Sequence, residues 1–196
     1  MEAQTLQRTG VAADAGATWT IDPAHSTIEF SIKHMIFATV HGRFNGFQGT
    51  IRFADDRPND ASVEVQIDAA SIDTGIRKRD DHLRSADFFD VATYPTIAFR
   101  GTRVEPIGPF RRDRWRVAGV LTIHGVSRPV ELAVEQTGGP DLWDVEVASF
   151  TATTKISRKD YGIGLNLPLD AGGLVIGDEV SIAIDVQVVE GPIRGR

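Results

Sequence analysis

Val180-Ser181-Ile182-Ala183-Ile184-Asp185-Val186-Gln187-Val188 sets large apolar side chains at every second position. Successive side chains of a strand point to opposite faces, so this stretch buries Val180, Ile182, Ile184, Val186 and Val188 and turns Ser181, Asp185 and Gln187 outward. The same period governs Ile28, Phe30, Ile32 and His34, then Val63, Val65 and Ile67. It returns in Trp115, Val117, Gly119, Leu121 and Ile123, and in Val130, Leu132 and Val134. Turn-forming clusters punctuate these runs: Asp55-Asp56-Arg57-Pro58-Asn59-Asp60, Pro106-Ile107-Gly108-Pro109, His124-Gly125-Val126-Ser127, Gly138-Gly139-Pro140 and Ala171-Gly172-Gly173. About eight or more strands at this spacing predict an all-β chain, an antiparallel barrel or sandwich. No linker or internal repeat interrupts residues 18–190, so they form one domain between polar tails at 1–17 and 191–196.

Composition narrows the function. The chain has 196 residues, 41% hydrophobic and 24% charged, with a net charge of −6. That balance argues against non-specific nucleic-acid binding, which needs phosphate neutralisation, and against attraction to anionic membrane surfaces. With no cysteine there is no disulfide framework, thiol nucleophile or Cys-ligated metal, and the redox compartment stays open. Apolar runs such as Met35-Ile36-Phe37-Ala38 are far shorter than the ~20 residues of a spanning helix. Residues 1–17 carry Glu2 near the start and no apolar core segment of a signal peptide, so a cytoplasmic location is expected.

Ser71–Asp90, SIDTGIRKRDDHLRSADFFD, breaks the alternation. Thr74 or Gly75 could cap a short helix over Arg77–Ser85, with Ile76, Arg79/Asp80 and Leu83 on one face. So short and charged a helix has to dock on something apolar. Leu83, Phe88 and Phe89 are the expected plugs, and a helical segment near residues 75–88 lying across a barrel mouth fits that need.

The catalytic search is mostly negative. Gly125-Val126-Ser127-Arg128-Pro129 fails as a nucleophile elbow at its last position. No phosphate-binding loop or H-E-x-x-H occurs, and His25, His34, His41, His82 and His124 have no metal-ligand spacing. No metal or cofactor is expected. Parity turns His34 inward, as a hydrogen-bonded residue at a barrel end or as a ligand contact. Asp80, Asp81 and His82 beside Arg77 and Arg79 can be read as acid/base machinery, or as a charged helix face with ion pairs. Arg111, Arg112, Arg114 and Arg116 could suit nucleic acid, but alternation puts Trp115 inside and Arg114 and Arg116 on the solvent side. Ser157–Gly162 could read an anionic head group, or only connect to Ile163, Leu165 and Leu167. The inward face remains. Of the chain's aromatics 10 are Phe, against Trp 3 and Tyr 2, and a barrel of about eight strands is either filled by such side chains or holds one ligand.

A family resemblance favours the ligand. Trp19, Ile21, Asp22, His25, Ser26, Phe30 and His34 follow the pattern W-x-I-D-x-x-H-S-x-x-x-F-x-x-x-H, which resembles the opening of the YceI-like family. The resemblance continues through Gly42-Arg43-Phe44, Gly49, Ser71-Ile72-Asp73-Thr74, Arg79-Asp80-Asp81-His82-Leu83 and Asp87-Phe88-Phe89-Asp90. It runs on through Tyr94-Pro95, Gly119–Val126 and Arg158-Lys159-Asp160-Tyr161-Gly162-Ile163. It implies an elongated lipocalin-like antiparallel β-barrel with an apolar interior. It further implies a long-chain ligand: a polyisoprenoid, an isoprenoid quinone or a fatty-acid-like lipid, bound for carriage, storage or sequestration without catalysis. On that implication Phe30, Ile32 and His34 line the first strand's inner face, Phe99, Leu121 and Ile123 the middle of the tunnel, and Leu83, Phe88 and Phe89 the mouth. Arg79 and Asp80 would hold the helix in place. Two other classes stay open: an enzyme using His34, Asp80 or His82 on a hydrophobic molecule, and a stress-associated scaffold. A homodimer through an edge strand is compatible with any of them.

Overall fold

Side chains with a two-residue apolar period can hide one face only by closing a sheet around it, and the chain does so. The computed structural model describes residues 17–34, 38–54, 57–108, 113–139, 147–165 and 176–193. The strands are β1 (Thr18–Ile21), β2 (Thr27–His34), β3 (Ala38–Phe44), β4 (Phe47–Ala54), β5 (Arg57–Asp68), β6 (Ile72–Asp73), β7 (Thr96–Pro106), β8 (Arg114–Ile123), β9 (Val126–Gly138), β10 (Val147–Ser157) and β11 (Ile176–Glu190). The one α-helix among the described residues is α1 (Arg77–Arg84).

Every pairing is antiparallel. Strands β1, β4, β5, β7, β8, β9, β10 and β11 follow one another, and pairing of β1 with β11 closes them into an eight-stranded barrel. Strands β1 and β2 are two halves of one bent strand. Both pair with β11, at Ile21↔Val188 and Ile28↔Ile184, and a 3-10 turn at Pro23–His25 separates them. Asp22 caps that turn by accepting from the Ala24 N–H at 3.0 Å. Strands β3 and β4 continue each other in the same way, β3 pairing with β2 and β4 with β1. Closure leaves the two-residue β6, on the end of β3, as the terminal strand among the described residues.

Two turns differ from expectation. Strand β5 begins at Arg57, inside the turn cluster expected at 55–60, because the hairpin already closes at Ala54↔Arg57. At the β8–β9 connection His124 (φ 51°) and Gly125 (φ 73°) alone make the turn, the backbone that a two-residue hairpin demands. Of the expected tails, residues 1–16 and 194–196 lie outside the described residues. Gly191 is tied down, its N–H donating to Thr18 O at 2.8 Å and its carbonyl accepting from Thr20 Oγ1 at 2.7 Å.

Helix α1 forms against its own electrostatics. Arg77, Lys78 and Arg79 crowd the N-terminus, where the helix dipole favours anions, and eight residues are too few to hold alone. The expected cap is absent: the N-cap position is Ile76, with no side-chain hydrogen bond. Ile76 is also exposed instead of sharing the buried face. Thr74 acts from further back. Its N–H (2.9 Å) and hydroxyl both donate to Oδ1 of the buried Asp80, tying the incoming loop to the first turn. Arg79 donates from Nε to Thr74 Oγ1 and from Nη2 to Thr74 O, each at 2.7 Å. At the other end Arg84 donates to Ala70 O (2.7 Å) and Ile72 O (2.6 Å), fastening the helix to β6. Asp73 accepts from the Gly75 N–H, Asn45 and Arg43, and these bonds, the backbone one foremost, hold its carboxyl below the usual carboxylate range.

Candidate functional site

The inward faces of the strands do not meet in the middle. Phe30, Ile32, Val130, Leu132, Val134 and Ile182 all face inward, yet each is only half-buried, because each keeps surface on an internal cavity. The cavity has a volume of about 940 Å³ and runs the length of the barrel. At one end it is bounded by Trp19 from β1, Ala148 from β10 and Gln136 from β9. At the other it reaches His34, Thr74 and Leu83 under α1.

Glycine shapes the wall at two places. A Cβ on Gly119 would lie 2.5 Å from Phe99 Cζ and 2.6 Å from Arg100 O. A Cβ on Gly42 would collide with Phe30 Cζ. Each glycine leaves room for a cavity-lining phenyl ring to lie flat across the neighbouring strand. Phe30, Phe44 and Phe89 then run on as a chain of ring contacts, with centroids 5.7 and 6.0 Å apart, from the wall to the segment after α1.

All of the residues that the family resemblance assigned to the tunnel border this cavity: Phe30, Ile32 and His34 from β2, Phe99 from β7, and Leu121 and Ile123 from β8. Leu83, Phe88 and Phe89 border it from α1 and the turn that follows. Sequence reasoning did not single out Trp19 or Ile163 for the site, and it named Tyr161 only within the Ser157–Gly162 turn, although all three line it. Tyr161 and Ile163 sit in and after a 3-10 turn at Arg158–Tyr161, where a two-residue period says nothing about direction.

Polar groups are few. Arg79 borders the cavity while serving Thr74, so it both holds the helix and faces the interior. His82 also borders it, but over half of its side chain is exposed and it pairs with Asp87 at 3.1 Å. Asp80 does not line it; its carboxylate is turned to Thr74. The three acid/base candidates are therefore split between a cavity-facing His34, an outer His82 and a structural Asp80. No group of three or more metal-binding side chains occurs among the described residues.

Arg158 is 6% exposed and donates to the carbonyls of Ile163 (2.8 Å), Gly177 (2.9 Å) and Leu165 (3.0 Å), with Asp178 at 3.4 Å. Burial lowers its pKa, and Asp178 opposes the shift. A guanidinium so occupied fastens the chain around the start of β11 and is not free to read an anion, so of the two readings of the Ser157–Gly162 turn the connecting one fits. Leu167, on that same expected stretch, lies outside the described residues. Tyr161 is 1% exposed, and burial pushes its hydroxyl up to about 12, with Asp160 adding to the shift and Arg128 opposing it.

The arginine cluster is resolved in the expected sense where it is described. Trp115 lines the cavity. Arg116 is exposed and pairs with Glu131 at 3.6 Å, and Arg114 pairs with Glu135 at 3.0 Å. Arg111 and Arg112 lie outside the described residues. No helix among the described residues is long and apolar enough to cross a membrane.

Known proteins share this architecture. The crystal structure of BcnA from Burkholderia cenocepacia superposes with a TM-score of 0.73 at 26% identity, covering 85% of this chain and 98% of that one. The YCEI protein of Campylobacter jejuni gives a TM-score of 0.65 at 25% identity, covering 98% and 99%. A polyisoprenoid-binding domain from Saccharophagus degradans, at 18% identity and a TM-score of 0.59, shares the fold. In sequence, a UPF0312 protein of Pseudomonas aeruginosa is 38% identical over 144 residues, 73% of either chain. A Vibrio cholerae UPF0312 protein is 35% identical over 170 residues, 82% of this chain and 88% of its own. The YceI-like domain model matches residues 19–188, so the chain belongs to the YceI-like family.

Proposed function

We propose that this protein binds one long-chain lipid, an isoprenoid or a chain of similar girth, inside the barrel, and carries, stores or sequesters it without bond chemistry. The cavity carries the reading. A wall this apolar around about 940 Å³ offers water few partners, so a hydrocarbon chain fills the space better than solvent does.

Size and energy fit a lipid. At the ~30 Å³ that a molecule of liquid water occupies, 940 Å³ holds about thirty heavy atoms. One five-carbon isoprene unit contributes roughly 3–4 kcal/mol on burial, at ~0.8 kcal/mol per CH₂. Association costs about 4–15 kcal/mol, so several units suffice for micromolar binding without a polar contact. The same sum implies low selectivity for chain length, because one methylene changes so little.

Trp19 and Trp115 both line the cavity and serve as internal reporters. Titration with a C20–C30 isoprenoid alcohol should change their fluorescence saturably, at one ligand per chain and micromolar or tighter affinity. A non-saturable change, or none, would count against the reading.

A further inference from the structure

Residues 74–93 cover one end of the cavity without being woven into the barrel. Strands β5 and β7 already pair at their ends, at Asp68↔Thr96, so the chain between them is an excursion that barrel closure does not need. Its base is sewn down. The Ala69 N–H donates to Pro95 O at 2.9 Å, and the Asn45 N–H to Ser71 O at 3.2 Å. Strand β6 pairs with β3 at Phe44↔Ile72 and Arg43↔Asp73. Beyond this base the pattern changes. Among the described residues, every hydrogen bond and ion pair of residues 74–93 ends within residues 70–94. The opposite end of the cavity is tied across long stretches of chain: Gly191 to Thr18 and Thr20, and the Gln136 N–H to Asp113 O at 2.8 Å.

Two kinds of contact hold the segment over the cavity. The first is apolar: Leu83, Phe88 and Phe89 border the cavity from it, and Phe89 packs edge-on against Phe44 of β3. The second is Arg84, which is not part of the cavity lining. Its bonds to Ala70 O and Ile72 O, at 2.7 and 2.6 Å, join the helix to the sewn base. Gly75 lies between base and helix, with φ 77° and nothing within 4 Å of where a Cβ would stand. That position has the backbone freedom and the open space of a pivot.

We infer that residues 74–93 are the door of the cavity, swinging as one unit to pass the lipid, and that Arg84 is the latch. The inference rests on the lipid-binding reading above and adds the route and its control. Opening breaks the Arg84 bonds and exposes Leu83, Phe88 and Phe89, so the shut state prevails in the free protein. A bound chain touches the same three side chains, so loading keeps the door shut. Arg84 touches neither cavity nor lipid. Without it the shut free state and the shut loaded state lose the same bonds, which changes the rate of passage and leaves the affinity alone.

The test is stopped-flow tryptophan fluorescence with geranylgeraniol in wild type, Arg84→Gln, Arg84→Lys and Thr20→Val. Arg84→Gln should raise the association and dissociation rates together, about tenfold for the loss of a charged hydrogen-bond pair, with Kd unchanged. Arg84→Lys, which keeps the charge and can meet one carbonyl, should fall between it and wild type. Thr20→Val loosens the opposite end and should leave both rates alone. Amide exchange in Arg84→Gln should quicken over residues 77–91 as a block, and lipid should slow that block. Unchanged rates in Arg84→Gln, a raised Kd with an unchanged association rate, or faster exchange of lipid in Thr20→Val would overturn the inference and leave lipid binding standing. Failure of the wild type to bind would overturn both.

Discussion

Tyr161 and Arg158 are three residues apart and show two ways of burying a polar side chain. Arg158 meets backbone carbonyls at 2.8–3.0 Å from both sides of the chain that leads into β11. Replacing it with Met keeps much of its volume but orphans those carbonyls, and each buried orphan costs about 1–3 kcal/mol. Arg158→Met should lose at least about 3 kcal/mol in urea denaturation; a loss under 1 kcal/mol would contradict the assignment. Tyr161 gives a pH signature. Its folded pKa is raised from 10.0 to about 12, so the unfolded chain loses this proton first as pH rises. Below pH 10 the hydroxyl is protonated in both states and the shift costs nothing; as pH climbs from 10 through about 12 the fold loses stability because the phenolate is penalised only when buried, by up to about 3 kcal/mol in all. Comparing wild type with Tyr161→Phe cancels the other groups: the phenylalanine variant should fall less between pH 9.5 and 12. Identical curves would refute the shift.

At the scale of elements, the strands were the legible part. Every inward residue named from the alternation of β2, β5, β8, β9 and β11 does face the barrel interior, because one buried face leaves a two-residue period no alternative. Even Gly119 obeyed it, and the structure supplies the reason: Phe99 lies where its side chain would be. Gly119→Ala would force that ring and the Arg100 carbonyl away, a misfit worth about 1–3 kcal/mol. A melting temperature within a degree of wild type would contradict it. Helix α1 was legible in existence, and the family resemblance named Arg79 and Asp80 as the residues that hold it, but their partners were not legible. Propensity and capping rules look one to three residues around the helix start, whereas Asp80 is bound by Thr74 before it and Arg84 reaches back to Ala70 and Ile72. Those contacts come from tertiary folding over the barrel end. Asp80→Ala should cost about 1–3 kcal/mol and speed amide exchange over Arg77–Arg84 selectively. Uniform acceleration across the barrel strands would show that Asp80 does more than dock the helix.

At the scale of the molecule, period two could not decide between a filled core and an open tunnel, because both hide the same face. The difference lies in radius, set by how eight strands close through β1 and β11 across about 170 residues of chain. The resemblance to the YceI-like family pointed to the tunnel, and the half-buried state of Phe30, Leu132 and Ile182 shows why volume remains. The irregular turn at Arg158–Tyr161 stayed outside sequence reach, since direction there depends on which carbonyls Arg158 finds. The most direct measurement is mass spectrometry of an organic extract of the purified protein, set beside Leu132→Trp, in which an indole projects into mid-cavity. The account predicts a long-chain lipid near one per chain in the wild type and a strongly reduced amount in a still-folded Leu132→Trp. A wild type that yields no lipid and takes up none on incubation, or a variant that retains the full amount, would contradict it.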